Sequence, residues 1–341
     1  MDNIQLSICI PTYNREKYLK ELLDCILNQL KDIEDGIVEI CVSDNASTDN
    51  TQSMMLEYQQ KYNNITYFRW DKNMGADMNY LKVVEIAHGK YCWFFGSDDL
   101  MVDGAIKKML EEIKEDCDIY LCNTIQCDQI MNKKKLSIML KTNIPASVFY
   151  FGKDTQILNY LKSINNKSVN AIFTYLSSVI VKKQQWNSIE FDKSFIDTAY
   201  AHTYILLSLL KRNIKLKYIK EAIVLYRGEN DSFVYNGIIN RIKLDFDGYK
   251  KLFTTVFSHK KDLSDYYKII LRKYYSSTFI AGIYQNSNES DKKLLLSFIK
   301  ETHCVYKIKF ISIFYSLYRK YLKQFLQKIN IHNKIVKLLF K

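Results

Sequence analysis

Through its first hundred residues the chain alternates short apolar runs with longer amphipathic ones. "QLSICI" (from Gln5), "VEICVS" (from Val38), "ITYFRW" (from Ile65) and "KYCWFF" (from Lys90) are rich in β-branched and aromatic residues. Each gives way to polar turn chemistry and then to a helical pattern. In "REKYLKELLDCILNQL", Tyr18, Leu19, Leu22, Leu23, Ile26, Leu27 and Leu30 recur at helical spacing, and "GADMNYLKVVEIAHG" reads as a helix ending at Gly89. This alternation of strand and helix predicts an α/β fold, with a mostly parallel central sheet, helices on both faces and ligands at the carboxyl ends of the strands.

Farther along, "CDIYLCNTI" (from Cys117) predicts another strand, and "QCDQIMNKKKLSIMLKTN" a hairpin or excursion. "IFTYLSSVIV" (from Ile172) reads as a strand, "YAHTYILLSLLKRN" (from Tyr200) as a helix, and "IKLKYIKEAIVLYRGEN" (from Ile214) as one or two strands running into a loop. From Asn236 the pattern is helical. The expected organisation is a first domain over 1–235, divided near 115, followed by a helical region over 236–341.

Charge separates the same two parts. The 341 residues carry a net +12, but Arg241 to Lys341 hold 21 basic and 7 acidic residues, so the last 101 residues carry +14 and the first 240 carry −2. A neutral working domain joined to a basic surface that meets something anionic is the expectation. From Thr302 to Lys341 there are nine Lys or Arg and no acidic residue. On a helical wheel, Phe310, Ile313, Phe314, Leu317, Tyr318, Tyr321 and Phe325 share one face, with Lys309, Arg319, Lys320 and Lys323 opposite. That pattern suits a helix lying on an anionic membrane surface, or one packed on the protein with its lysines in water. No apolar run reaches the 18 residues or more of a membrane span, and "MDNIQLSICIPTYN" lacks the pattern of a secretion signal. The eight cysteines include no C-x-x-C pair, so they read as reduced, which points to the cytoplasm, with Cys9, Cys41 and Cys92 as core residues.

Polar clusters fall where strands should end: "PTYNR" (Pro11 to Arg15), "SDNASTD" (Ser43 to Asp49) and "GSDD" (Gly96 to Asp99). Three such clusters on one edge of a parallel sheet predict a single pocket. Adjacent carboxylates at Asp98 and Asp99 repel, and a divalent cation shared with substrate phosphates resolves that conflict. Taken alone, "SDD" also reads as the N-cap of the following helix "VDGAIKKMLEEIKED".

In order and spacing, "SICIPTYNREKYLKELLDCI", "EICVSDNASTDNT" and "NMGADMNYLKVVEIAHGKYCWFFGSDD" resemble family-2 glycosyltransferases of the glycosyltransferase-A fold over about the first 115 residues. "SDNASTD", "GSDD" and the later "AHTYILLSLL" are most similar to the bacterial branch that builds lipopolysaccharide O-antigen or capsule, including abequosyltransferase-like enzymes. The resemblance implies an inverting transfer from a nucleoside-diphosphate sugar, aided by Mg²⁺ or Mn²⁺, to a lipid-linked saccharide at the inner face of the cytoplasmic membrane. It implies that 1–115 binds the nucleotide and 116–235 the acceptor. Thr12, Tyr13 and Arg15 would line the nucleotide pocket, Asp44 would accept from the base, Asp98 would face ribose and metal, and Asp99 would ligate the metal. Where the family has an acidic residue at the first place of its triplet, this chain has Gly96.

The resemblance also implies a general base on a helix across the cleft, and His202 or Asp197 fits that place. Each has a plainer reading: a partly buried helix histidine, and a carboxylate complementing a helix N-terminus. In the "YRGENDSF" loop Arg227 reads as a phosphate contact or as a solvated loop arginine, and "DKNMG", with Asn73, reads as a tight turn or as the lead into a helix whose N-terminus suits a nucleotide. A nucleotidyltransferase is the alternative enzyme class, though "PTYNREKY" lacks a glycine-rich phosphate loop. A catalytically inactive nucleotide-sugar-binding relative is a further alternative. No nucleic-acid-binding module is recognisable, so no nucleic-acid partner is expected.

Overall fold

The first strand, β1 (Leu6–Thr12), is buried at every position, as a strand covered on both faces must be. It pairs in parallel with β2 (Val38–Asp44) on one side and β4 (Tyr91–Phe94) on the other, and β2 pairs in parallel with β3 (Ile65–Arg69). The crossovers are α1 (Glu16–Leu30), α2 (Thr51–Lys61) and α3 (Ala76–Glu85). Helix α1 buries Leu19, Leu22, Leu23 and Ile26, one stripe at helical spacing. Burying each such side chain stabilises the fold by about 2 kcal/mol. Helix α3 stops at Glu85, short of Gly89, whose N–H instead donates to Ser7 Oγ (2.8 Å) and to the buried Glu39 carboxylate (3.1 Å).

The computed structural model describes residues 3–165, 168, 170–234 and 237–317. After β4 come β5 (Leu100–Met101), α4 (Ala105–Glu112), β6 (Ile119–Cys127), β7 (Lys133–Ser137), β8 (Ser147–Tyr150) and α5 (Asp154–Ser163). There follow β9 (Val179–Lys182), α6 (Lys183–Asn187), α7 (Ala201–Leu209) and β10 (Lys215–Arg227). The strands lie in the order β3-β2-β1-β4-β9-β6-β10-β5, with β7 on β6 and β8 on β10. Parallel pairing holds for β3-β2-β1-β4 and for β6 with β10, and antiparallel β9 joins the two blocks. The strand expected from Cys117 is β6, and the hairpin expected over "QCDQIMNKKKLSIMLKTN" forms between the end of β6 and β7. Of the strand expected over "IFTYLSSVIV", only Val179–Lys182 forms, because the residues before it make short 3₁₀ turns that aim Tyr175 and Ser177 elsewhere. Where the pairing of β10 with β6 slips, buried Asn123 fills the gap. It donates to Lys220 O (2.7 Å), and its Oδ1 accepts from Tyr218 Oη and Met139 N (both 2.9 Å).

Residues 1–231 and 232–341 are two compact units. The second consists of α8 (Ile238–Val256), α9 (Lys261–Ser264), α10 (Tyr266–Tyr274), α11 (Ser277–Asn286), α12 (Glu289–Ile299) and α13 (Val305–Leu317). Its core centres on Ile242, Phe246, Tyr249, Leu252 and Phe253 of α8, pinned by Asp245, which accepts from Tyr275 Oη and Arg241. Helix α13 packs on α11 and buries Ile308, but leaves Tyr306, Phe310, Ile313 and Phe314 exposed. The rest of the expected amphipathic face, Tyr318, Tyr321 and Phe325 with Arg319, Lys320 and Lys323, lies outside the described residues. Among the described residues no helix is long and apolar enough to cross a membrane. The eight cysteines are unpaired, and Cys9, Cys41 and Cys92 are buried in the sheet.

Candidate active site

The three polar clusters meet at the carboxyl edge of β1, β2 and β4. Asn14, at φ 50°, turns the chain out of β1. Its N–H donates to Ser47 Oγ (2.9 Å), and its Oδ1 accepts from Thr48 N (2.7 Å). Asn45 Oδ1 accepts from Met74 N (2.7 Å), and Asn45 Nδ2 donates to Asn73 Oδ1 (2.8 Å). These bonds tie the loop before α3 to the end of β2. Asn79 donates to the carbonyls of Thr12 and Ser43 (3.2 and 2.8 Å), closing the network from beneath.

Asp98 is the carboxylate on which this edge converges. Its Oδ2 meets Arg15 Nη1 at 2.6 Å and accepts from Asn230 Nδ2 at 2.7 Å, so residues following β1, β4 and β10 share one oxygen. Its Oδ1 accepts no hydrogen bond among those described. Asp99 is different: at 3% exposure its Oδ2 accepts from Tyr175 Oη and Ser177 Oγ (both 2.5 Å), and its Oδ1 from Arg227 N (3.0 Å). Burial, and then the neighbouring Asp98 charge, push the Asp99 carboxyl up to about 7 despite those donors. Neither residue caps the next helix: α4 begins after Gly104, and β5 intervenes.

Gly96 is explained by the same cluster. A Cβ there would lie 2.8 Å from Asp99 Oδ2 and 3.3 Å from Ser177 Oγ, while Gly96 N–H itself donates to Ser177 Oγ at 2.9 Å. An acidic side chain does not fit at this position while Tyr175 and Ser177 hold Asp99 where it is.

Among the described residues no three His, Cys, Asp or Glu side chains form a metal cage. The donor set fits Mg²⁺ or Mn²⁺ of the kind held by one or two carboxylates and completed by substrate phosphates and water. Asp98, with an oxygen free of protein donors, supplies such a carboxylate, whereas Asp99 does not without surrendering its own hydrogen bonds.

Several expected contacts take other roles here. Arg227 does not reach into the cleft. It is 3% exposed, donates through Nε to Asp98 O (2.7 Å), through Nη1 to Gln129 O and through Nη2 to Glu21 Oε2 (2.6 Å), and lies over the Tyr18 ring at 4.8 Å. It is a strut under the site. Asp44 is wholly buried: Oδ1 accepts from Ser47 N and Oγ (2.9 and 2.5 Å), and Oδ2 accepts from Tyr67 Oη (2.7 Å) and lies 3.5 Å from Arg69 Nε. A nucleobase reaches it only if one of these donors yields. Thr12 Oγ1 is buried without a partner among the described residues, Tyr13 is exposed, and Asn73 Oδ1 is occupied by Asn45 Nδ2 and Gly75 N.

His202 is 2% exposed, with Tyr80 edge-on at 5.1 Å and Phe94 at 6.5 Å. Nε2 lies 3.1 Å from Thr203 Oγ1, Nδ1 meets no hydrogen-bond partner by distance and angle among the described residues, and burial lowers the imidazole to about 3. A general base must be reachable by the acceptor and ready to take a proton near neutrality; His202 is instead enclosed beside Tyr80 and Phe94. Asp197 is exposed and stands at the start of α3, its Oδ1 3.2 Å from where a Gly75 Cβ would be.

The pattern of the chain did not mark Tyr175, Ser177, Asn230, Tyr80 or Asp77. Tyr175 and Ser177 reach Asp99 from more than 70 residues away, within a segment that reads as strand, so no local signal betrays them. Asn230 shares the "YRGENDSF" loop with Arg227, and its polar side chain reads there as an ordinary loop residue. Tyr80 stands where the charges of Asp77, Arg15 and Asp98 all act on it. A separate open hollow of about 730 Å³, lined by Lys90, Asp116, Lys182 and Lys183, lies at the other edge of the sheet, and two of its lysines pair with Asp116.

The profile described as "Glycosyl transferase family 2" matches residues 7–174. Abequosyltransferase RfbV of Salmonella typhimurium (strain LT2) is 39% identical over 306 residues, covering 88% of this chain and 90% of that protein. Glycosyltransferase GlyG of Streptococcus pneumoniae serotype 4 is 24% identical over 242 residues, 67% of this chain and 72% of GlyG. Among solved structures, S. aureus TarS 1–349 in complex with UDP-GlcNAc matches with a TM-score of 0.64 at 17% identity, over 88% of this chain and 82% of that one. The mannosyltransferase PcManGT from Pyrobaculum calidifontis, in complex with GDP-Man and Mn²⁺, matches with a TM-score of 0.54 at 13% identity, over 99% and 88% of the two chains. The fold is therefore of the glycosyltransferase-A type, and this chain belongs to glycosyl transferase family 2, as a nucleotide-sugar glycosyltransferase.

Proposed function

We propose that this enzyme transfers a sugar from a nucleoside-diphosphate sugar, with inversion, to a hydroxyl of a lipid-linked saccharide during O-antigen or capsule assembly. The observation that carries the donor half is the convergence of Arg15, Asn230 and Asp98 at the ends of three strands. The 39% identity to an abequosyltransferase over nine-tenths of its length supports the pathway. Family membership removes the nucleotidyltransferase alternative.

In this reading Asp98, of the two carboxylates expected at the metal, is the protein's carboxylate toward Mg²⁺ or Mn²⁺, and Asp99 is a buried prop. When bound, the ion supplies Lewis-acid stabilisation of the departing diphosphate. Arg15 leaves Asp98 Oδ2 to meet a phosphate oxygen as the donor enters, a pairing suited to a guanidinium. Thr12 and Tyr13 line the nucleoside end, Asn73 shapes its rim, and Asp44 braces the loop beneath it. Asp197 takes the proton from the acceptor hydroxyl while that oxygen bonds to the anomeric carbon and the bond from that carbon to the diphosphate oxygen breaks. The exposed Tyr306, Phe310, Ile313 and Phe314, with Lys307 and Lys309 among them, support peripheral attachment to an anionic membrane on the cytoplasmic side.

The test is transfer from a panel of nucleoside-diphosphate sugars to a polyprenyl-linked saccharide, followed by the anomeric configuration of the product. An inverted glycoside is expected. Turnover with retention, or nucleotidyl transfer in its place, would overturn the reading.

A further inference from the structure

The loop leading into α7 is held in a conformation that its own residues disfavour. Asp197 and Ala199 both have positive φ, 64° and 66°, and an alanine in the left-handed region is sterically strained, its Cβ crowding the backbone. Such strain persists only where surrounding structure over-determines it.

One side chain does most of that determining. Asp77, the second residue of α3, is 2% exposed. Its Oδ2 accepts from Ala199 N (2.8 Å) and its Oδ1 from Ala201 N (2.9 Å), and the Thr198 N–H also points to it. A carboxylate in the first turn of a helix ordinarily complements that helix's own amides. This one gathers the amides of a loop more than 120 residues away. Two residues earlier, Gly75 (φ 81°) leaves the space in which Asp197 lies: a Cβ there would be 3.2 Å from Asp197 Oδ1. Gly75 follows the Asn73–Met74 segment bound to Asn45 at the end of β2, so the start of α3 carries Asp197 to the same sheet edge as the donor cluster.

We propose that Asp77 is a positioning residue for sugar transfer: its buried carboxylate fastens the 197–201 loop to α3 and thereby fixes Asp197 at the cleft. The inference rests on the reading of Asp197 as the base. Replacing Asp77 by Asn keeps the shape but turns one acceptor into a donor facing an N–H, so the loop loses an anchor and the base its fixed position.

The experiment is a double-mutant cycle of Asp77→Asn and Asp197→Asn, reading kcat, donor KM and melting temperature. Asn tolerates positive φ, so Asp197→Asn keeps the loop intact. Asp77→Asn is expected to lower kcat about 10²-fold, the size of effect an ångström of misplacement produces, with donor KM unchanged and no further loss in the Asp197→Asn background. Ala199→Gly, which folds because glycine accepts φ 66°, is expected to lower kcat about 10-fold by loosening the same loop. Loss of kcat in Asp197→Asn alongside wild-type kcat in both Asp77→Asn and Ala199→Gly overturns the positioning role alone. An equally large Asp77→Asn effect in the Asp197→Asn background, or a parallel rise in donor KM, also overturns it. Full transfer by Asp197→Asn overturns both the role and the reading beneath it.

Discussion

Substituting Gly96 by Ala tests the packing account of the carboxylate cluster with a single methyl group. The new Cβ would stand 2.8 Å from Asp99 Oδ2 and 3.3 Å from Ser177 Oγ, so Asp99 must move. Moving it strains or breaks the bonds from Tyr175 and Ser177, each 2.5 Å long and buried. Losing one hydrogen bond to a buried charged group costs about 1.5–3 kcal/mol, and overpacking costs of the same order accompany it. We expect a loss of about 2–3 kcal/mol, which lowers the melting temperature by about 4–12 °C for a domain of this size. The assay is thermal denaturation in EDTA of Gly96→Ala, Tyr175→Phe and the double variant. Because Tyr175→Phe frees Asp99 to shift, the double variant should be more stable than the sum of the singles by about 1 kcal/mol. A melting temperature for Gly96→Ala equal to wild type, or strictly additive losses, would refute the argument that Asp99 is why this position is glycine.

Three further outcomes follow from the same geometry. Because burial lowers the His202 pKa to about 3 from 6.5, the unfolded chain binds the extra proton between those values; this stabilising contribution is full above pH 6.5 and is lost as pH falls toward 3. His202→Leu should flatten that slope in pH-dependent denaturation while keeping transfer within about tenfold of wild type, as expected of a ring enclosed by Tyr80 and Phe94; a thousandfold loss of kcat with donor affinity intact would contradict this. Arg227→Ala should cost about 3–5 kcal/mol by breaking a buried charge network, with Arg227→Lys rescuing little because an ammonium cannot span Asp98 O, Gln129 O and Glu21; a stable variant that has lost only donor affinity would restore the phosphate role. Phe310→Asp with Ile313→Asp should reduce sedimentation with phosphatidylglycerol vesicles and leave transfer to a water-soluble acceptor unchanged; undiminished vesicle binding would count against membrane attachment through α13.

The strands and helices of the first hundred residues were legible because each carries its own signal: an apolar run for a doubly covered strand, a stripe such as Leu19, Leu22, Leu23 and Ile26 for a covered helix. The cleft was legible too, since β1 and β2 end in the polar residues Thr12 and Asp44 and β4 runs within a few residues into Ser97, Asp98 and Asp99. What each polar side chain does there was not. Whether Asp99 is exposed or propped depends on Tyr175 and Ser177, and whether Arg227 meets phosphate or protein depends on Glu21 and Gln129, partners brought near only by the fold. His202 sits at helical spacing whether its ring faces the cleft or the aromatic core, and only packing against Tyr80 and Phe94 distinguishes them. Asp77 reads from its position as an ordinary first-turn acid, and its partners lie beyond any local pattern.

The most direct test of the account is calorimetric titration of nucleoside-diphosphate sugars into the purified protein with Mn²⁺ and with EDTA, for wild type, Asp98→Asn and Asp99→Asn. Metal-dependent binding of one donor is expected for wild type, with loss of the metal dependence in Asp98→Asn and, in Asp99→Asn, a less stable protein whose donor binding still responds to Mn²⁺. Metal-dependent binding that survives in Asp98→Asn and vanishes in a folded Asp99→Asn would contradict it.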